Sequence, residues 1–267
     1  MLTFREMGRW GRLGNQMFQY ATLLATARRR GLRFGIPRST VAGDEYQHLA
    51  LPDGFPLLTA DECPPPPCPP DVPQFREAAW DAFHPELADV ADGTDLLGCF
   101  QSEWYFRDFR PDLLAEFAPR PETATAAREF VATVRAESRA PVVGVHVRRG
   151  DYLTTDFLLV LGADYYARAL ALFPGHAAIL CTDDPAWCRE RFRGAYHLSP
   201  FTDKFADLEV LRACDHVVIA NSTFSWWGAW LNESPGKRVV MPRKWIRADL
   251  ARRPVLPGLY CDGWIVL

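Results

Sequence analysis

From Pro141 onward the chain alternates short apolar runs with longer helix-like stretches, and no other feature narrows its fold as far. Residues 142–147 (VVGVHV), 177–182 (AAILCT), 216–220 (HVVIA) and 238–241 (RVVM) are near-continuous apolar segments rich in valine. Strands buried on both faces of a parallel sheet read this way, because neither face meets water. Residues 164–173 (DYYARALALF), 185–192 (PAWCRERF), 204–214 (KFADLEVLRAC) and 223–231 (TFSWWGAWL) lie between and after them as helices. Asp184 before Pro185 offers a side-chain cap followed by proline at the first helical position, where its missing N–H costs nothing. Strand and helix in this order predict a doubly wound α/β unit.

The first half is less regular. Residues 16–30 read as a helix stopped by Gly31, and residues 32–36 as a strand. The run Cys63-Pro-Pro-Pro-Pro-Cys-Pro-Pro70 excludes helix and central strand, so it is expected as an extended surface connector. A chain of 267 residues has room for two domains. The passage between them is expected near Pro119 to Pro121, and the division is drawn as 1–138 and 139–267. Thirty Lys plus Arg against 33 Asp plus Glu leave a formal charge of -3, so no basic field points to nucleic acid. Seven scattered cysteines without a C-x-x-C zinc pattern suit a reducing cytosol. The charged N-terminal segment and the lack of any long apolar run predict a soluble, cytoplasmic protein.

Polar residues collect where the predicted strands end. His146-Val-Arg-Arg-Gly-Asp-Tyr152 closes the first of them, and ligands in open α/β sheets sit beyond carboxyl strand ends. Alternation places His146 and Arg148 on one side and Arg149 on the other. Arginine forks match phosphate oxygens, so one of the two is expected to touch a ligand, while the other braces the turn, with Arg149 pairing to Asp151. Cys181-Thr-Asp-Asp184 ends a second strand; one aspartate suffices as a cap, leaving Asp183 free to accept from a base or sugar. Asn221-Ser-Thr-Phe-Ser225 opens the tryptophan-rich helix, where Ser222, Thr223, Ser225 and free N–H groups would receive an anion. Together the three strand ends describe a nucleoside diphosphate site, without the glycine signatures of a dinucleotide fold or a phosphate-binding loop. Near the start, Gly11-Arg-Leu-Gly-Asn-Gln16 reads either as a plain turn capped by Asn15 or as a close approach of backbone to ligand.

Four segments resemble one family: Gly11-Arg-Leu-Gly-Asn-Gln-Met-Phe-Gln-Tyr-Ala21, Gly98-Cys-Phe-Gln-Ser-Glu-Trp-Tyr-Phe106, His146-Val-Arg-Arg-Gly-Asp-Tyr152 and Phe224-Ser-Trp-Trp-Gly-Ala-Trp-Leu231. In order and content they are similar to the bacterial α-1,2-fucosyltransferases of glycosyltransferase family 11. The resemblance implies a GT-B architecture, two Rossmann-like domains facing across a cleft, with an N-terminal acceptor-side domain and a C-terminal domain holding GDP-β-L-fucose. It puts Arg148 on the β-phosphate, His146 and Asp183 near the guanosine, and Ser222, Thr223 and Ser225 near the phosphates, with Arg149 beside them. Arg12, Asn15 and Gln16 would lie on the cleft and acceptor side. The segment after Tyr152 (LTTDFLLVLGADYY) departs from the more polar family pattern.

The expected activity is inverting transfer of L-fucose to the 2-hydroxyl of a galactose-containing glycan. Its catalytic residues would be Arg148, with Asp156 ahead of Asp151 as base; by the resemblance, Asp156 stands at the spacing where an α-1,6-fucosyltransferase relative carries its glutamate. No metal or other cofactor is expected, since no Asp-x-Asp motif is present; the partners are GDP-fucose, the acceptor glycan and a peripheral membrane contact at the inner face. Two rival readings are a GDP-sugar transferase with another sugar or a protein acceptor, and a non-catalytic glycan-binding protein using its tryptophans as sugar platforms.

Overall fold

The computed structural model describes residues 1–9, 11–38, 48–80, 82–247 and 258–267. The chain divides into two compact units, Met1–Ala118 with Val255–Cys261, and Pro119–Pro254 with Asp262–Leu267.

The first unit contains β1 (Leu2–Thr3), α1 (Leu13–Arg30), β2 (Phe34–Ile36), α2 (Leu51–Gly54), β3 (Asp61–Glu62), β4 (Gln74–Arg76), β5 (Asp95–Leu97) and α3 (Arg110–Glu116). Its sheet is parallel, in the order β3-β2-β1-β5-β4. Helix α1 is the predicted helix, extended by a turn at its start. Nearly every residue from Leu13 to Ala27 is buried, so α1 is the spine of this unit rather than an amphipathic surface helix. Its end follows from Gly31, which takes φ 65° and returns its N–H to the Ala27 and Arg28 carbonyls, with Arg28, Arg29 and Arg30 in the negative last turn. Buried Glu116 ties α1 to α3, accepting from the Tyr20 hydroxyl at 2.8 Å and from the Thr59 N–H at 2.7 Å.

The second unit contains α4 (Pro121–Ser138), β6 (Val142–Val147), α5 (Ala163–Leu170), β7 (Ala177–Thr182), α6 (Pro185–Arg191), β8 (Tyr196–Leu198), α7 (Lys204–Ala213), β9 (His216–Val218), α8 (Thr223–Leu231), β10 (Val239–Met241) and β11 (Ile265–Val266). Its sheet is also parallel, in the order β11-β10-β9-β6-β7-β8. The chain builds outward from β6 to β8, then returns to the other side of β6 and builds outward again to β11. The order therefore reverses between β6 and β9, which opens a crevice beyond their carboxyl ends. One face of the sheet packs Val143, Val145, Leu180 and Val218 against Tyr165, Tyr166 and Phe173. On the other face, Gly144 lets α7 lie close: a Cβ there would stand 3.0 Å from Cys214 Sγ and 3.2 Å from Leu211.

Two expectations about organisation change. Helix α4 buries Ala124, Ala127, Val131 and Val134 along one stripe and packs against α7, so it belongs to the second unit. The division lies just before Pro119, at the expected passage, and not after residue 138. Asn15 is not the cap of α1: the helix begins at Leu13, with Arg12 preceding it. The proline-rich segment is a non-helical connector apart from the paired strands, and all seven cysteines are unbonded thiols.

Candidate functional site

The reversal of strand order brings the carboxyl ends of β6, β7 and β9 together, and the polar residues singled out in the second half of the sequence, Asp156 excepted, lie at these strand ends. Arg148, just past β6, is gripped on both arms. Its Nη2 lies 2.5 Å from Asp151 Oδ1 and its Nη1 lies 2.8 Å from Asp183 Oδ2, while the guanidinium sits over the Tyr152 ring at 5.6 Å. Arg149 points the other way, with Nε 3.0 Å from Asp184 Oδ2 and its guanidinium 4.2 Å from the Trp187 ring centre.

The expected pairing of Arg149 with Asp151 is therefore exchanged. Strand alternation sends residues 148 and 149 to opposite faces, and the tight turn at Asp151–Thr154 returns Asp151 beneath Arg148 at i+3. Asp183 is not spare either: Oδ1 accepts the Arg149 N–H at 2.9 Å and Oδ2 takes Arg148. Gly150 makes room for this carboxylate, since a Cβ there would stand 2.7 Å from Asp183 Oδ2. Asp184 caps α6 as expected, accepting the Trp187 N–H at 3.0 Å; that bond first, and Arg149 after it, hold its carboxyl below the usual range.

His146 is buried, its ring 5.2 Å from that of Phe224, and its Nδ1 has no hydrogen-bond partner among the described residues. Burial, reinforced by the neighbouring Arg148 charge, lowers its pKa to about 3, so it is a neutral imidazole. Ser222 precedes α8 in extended conformation and leaves the first turn uncapped by its own side chain. Thr223 is partly exposed, whereas Ser225 is fully buried and donates to the Ser222 carbonyl at 3.2 Å. That places Ser225 in the helix interior rather than in the phosphate position expected of it. Trp226, Trp227 and Trp230 are core residues, the first and last stacked at 6.0 Å, so they are not exposed sugar platforms.

Asp156 stands apart, fully solvent-exposed, with Arg247 Nη1 3.7 Å away. In the first unit, Asn15 accepts from Gln101 Nε2 at 3.1 Å and Arg12 is partly buried before α1. Gln16 is buried and fully engaged: its Nε2 donates to the His48 carbonyl at 2.8 Å and its Oε1 accepts the Ala50 N–H at 2.8 Å. It is a packing clamp, not an acceptor-facing group. Gly11 needs its φ of 90°, and a Cβ there would collide with Asn15.

Three residues of the second unit have contacts for which the sequence reading gave them no role, two of them inside motifs it quoted. Tyr152 is buried and donates to the Asn221 carbonyl at 2.9 Å. Asn221 is itself buried and donates through Nδ2 to the Leu159 and Trp245 carbonyls at 2.8 and 2.7 Å. Asp207, in the first turn of α7, accepts from the Ser199 hydroxyl at 2.5 Å, and burial raises its carboxyl to about 6. An asparagine directly after an apolar run was a readable signal; a single aspartate in an amphipathic helix was not.

Residues 72–263 match the model of glycosyl transferase family 11. An O-antigen biosynthesis glycosyltransferase of Escherichia coli, WbnK, is 35% identical over 141 residues, 48% of this chain and 45% of its own. The mouse galactoside 2-alpha-L-fucosyltransferase Sec1 is 29% identical over 248 residues, covering 83% of this chain and 62% of its own. The chain thus spans about half the length of the first of these relatives and under two thirds of the second. Among solved structures, POFUT1 in complex with GDP superposes with a TM-score of 0.52 at 13% identity, covering 90% of this chain and 97% of the other. The fucosyltransferase NodZ from Bradyrhizobium does so with a TM-score of 0.52 at 15% identity, covering 85% and 92%. These two likenesses establish the α/β fold of GT-B type. With four sequence segments in order, parallel sheets in both units and a family match over most of its length, the chain belongs to glycosyl transferase family 11.

Proposed function

We propose that the protein transfers L-fucose from GDP-β-L-fucose to the 2-hydroxyl of a galactoside with inversion, forming an α-1,2 linkage. The observation that carries this reading is the guanidinium of Arg148, fixed between two carboxylates at the point where strand order reverses, beside the start of α8, which the Ser222 side chain does not cap. Family membership and the activities named for the relatives support the choice of donor and linkage.

Two of the five guanidinium N–H donors are engaged by the carboxylates, leaving donors for the β-phosphate of the nucleotide. The N–H groups of the first turn of α8 add partial positive charge to the same anion. As the acceptor oxygen attacks the anomeric carbon, the bond from that carbon to the phosphate oxygen breaks, and negative charge grows on the departing GDP. A fixed cation stabilises that charge more in the transition state than in the ground state, which is the requirement for faster turnover. Neutral His146 beside Phe224 offers a flat wall for the guanine base without adding charge. The acceptor proton passes to a carboxylate, Asp156 or Asp151, or to the departing phosphate.

Arg148 and the helix start supply the positive field, so this reading needs no divalent ion. Arg12 and Asn15 are assigned to the acceptor side. We assign the activity to the cytoplasm, with peripheral contact to the inner membrane face, a reading that the unbonded thiols support. Incubation with GDP-fucose and a panel of acceptors including lactose, with linkage analysis of the product, tests the function. An α-1,2-fucosylated galactoside is expected, and tight glycan binding without GDP release would overturn it.

A further inference from the structure

Tyr152 stands between Arg148 and the start of α8, and its side chain touches both sides. At one end, the Arg148 guanidinium sits over the ring, its carbon 5.6 Å from the ring centre. At the other end, the hydroxyl donates to the Asn221 carbonyl at 2.9 Å and accepts from the Ser222 hydroxyl. Ser222 directly precedes α8, so one ring spans from the cation to the helix entry. Tyr152, Asn221 and Ser222 are all buried. Asn221 is pinned in turn, since its amide donates to the Leu159 and Trp245 carbonyls at 2.8 and 2.7 Å. The backbone of Tyr152 is held by the turn at Asp151–Thr154, in which the Leu153 N–H returns to the Arg149 carbonyl at 3.0 Å.

Asp151 and Asp183 follow β6 and β7, so they set the guanidinium relative to those two strands. Tyr152 sets it relative to β9 and α8. A tyrosine suits this task because its ring is rigid and its polar tip can be fixed at one point. A diphosphate that takes N–H groups from both the guanidinium and the first turn of α8 needs the distance between them held. A displacement of about 1 Å can cost roughly 10²-fold in rate.

We propose that Tyr152 is a positioning residue that sets the spacing between Arg148 and the start of α8, matching the site to a nucleoside diphosphate over a monophosphate. The inference rests on the donor-site reading above and adds to it the residue on which discrimination by phosphate number depends. The hydroxyl is the operative group. Without it the ring still packs beneath Arg148, but its link to Asn221 and Ser222 is gone.

Calorimetric titration of Tyr152→Phe with GDP and with GMP tests it. GMP lacks the β-phosphate and makes no demand on the spacing. The variant should bind GDP roughly tenfold more weakly and GMP as before, the loss of about one charge-assisted hydrogen bond. The stoichiometry of each titration reports the folded fraction separately from the affinity. Tyr152→Leu, which also removes the ring beneath Arg148, should lower the ratio of GDP to GMP affinity further. Tyr165→Phe is the control, because Tyr165 is likewise buried in the second unit and its hydroxyl donates to the Ile219 carbonyl at 2.7 Å. It should keep the wild-type ratio, and an equal fall there overturns the positioning role. If the wild-type protein prefers GDP and Tyr152→Phe keeps the same ratio, the role of Tyr152 is overturned and the donor site stands. If the wild-type protein binds GDP and GMP equally, the β-phosphate site is overturned and the role of Tyr152 with it. A lowered ratio in Tyr152→Phe without fucose transfer to any galactoside supports the positioning role and overturns the transferase reading instead.

Discussion

Arg148 reaches across from the end of β6 to Asp183 at the end of β7, Nη1 to Oδ2 at 2.8 Å. The guanidinium is thereby fixed before any ligand arrives, and a charge that need not reorganise during the reaction is the more effective one. Arg148→Ala should therefore lower turnover by about 10²-fold or more while the circular dichroism spectrum stays native. Arg148→Lys should recover little, because a point charge cannot hold two carboxylates and a phosphate in the same geometry. Near-native turnover in Arg148→Ala would sink the donor-site assignment.

Arg149 should behave differently despite being the next residue. Its guanidinium lies against Trp187 and Asp184, bracing α6 rather than reaching for Asp151. Arg149→Ala should cost stability on the order of 1 kcal/mol, seen as a drop in Tm of a few degrees, with turnover reduced less than in Arg148→Ala. If Arg149→Ala equals Arg148→Ala in turnover and leaves Tm unchanged, the division of labour between them is wrong.

The second unit was legible in the sequence because its strands are buried on both faces, and runs such as VVGVHV and AAILCT keep their signal without any partner in view. The first unit was not, since β1, β3, β4 and β5 are two or three residues long and take their order from α1 and one another. Site residues at strand ends were readable for the same topological reason, but their pairings were not. Which carboxylate meets Arg148 depends on the turn at Asp151–Thr154 and on Gly150 admitting Asp183, and both are properties of three dimensions. Asp207 and Gln16 show the limit from opposite sides: burial gives the first an altered pKa with no motif to announce it, and it removes the second from a motif that did announce it.

Asp207 sets a measurable pH dependence. Its carboxyl is raised to about 6 in the folded chain from a reference of 3.8, by burial above all. Below about pH 4 both states are protonated and no penalty exists; as pH rises through 6 the unfolded state has already ionised, and stability falls. The loss is roughly 2 to 4 kcal/mol by pH 7. Asp207→Asn cannot ionise, so chemical denaturation should show it gaining on the wild type as pH rises from 4 to 7. A difference that stays constant with pH would contradict the buried-carboxyl account.

Metal independence is the fourth expectation. On the proposed reading, Arg148 and the start of α8 supply the positive charge that a divalent ion would otherwise bring to the diphosphate. Excess EDTA should leave the rate of GDP release from GDP-fucose unchanged in the presence of acceptor, and strict dependence on added Mn²⁺ or Mg²⁺ would contradict this.

The proton of the acceptor hydroxyl is the last step to assign, and two carboxylates compete for it. Asp151 is tied to Arg148 at 2.5 Å, so one of its oxygens is already engaged by a guanidinium N–H. Asp156 is fully exposed, with Arg247 Nη1 3.7 Å away, so its side chain can turn towards an acceptor. Replacing each by asparagine separates the roles. A base lost from the reaction lowers turnover by roughly 10² to 10⁴ and leaves GDP affinity unchanged, because the nucleotide does not contact it. Loss of Asp151 should instead disturb Arg148 and weaken GDP binding along with turnover. Asp156→Asn is therefore expected to lower turnover alone, with GDP affinity measured by calorimetry as the control. If Asp156→Asn keeps full turnover while Asp151→Asn loses both functions, neither carboxylate is the base, and the departing phosphate takes the proton as the bond to it breaks.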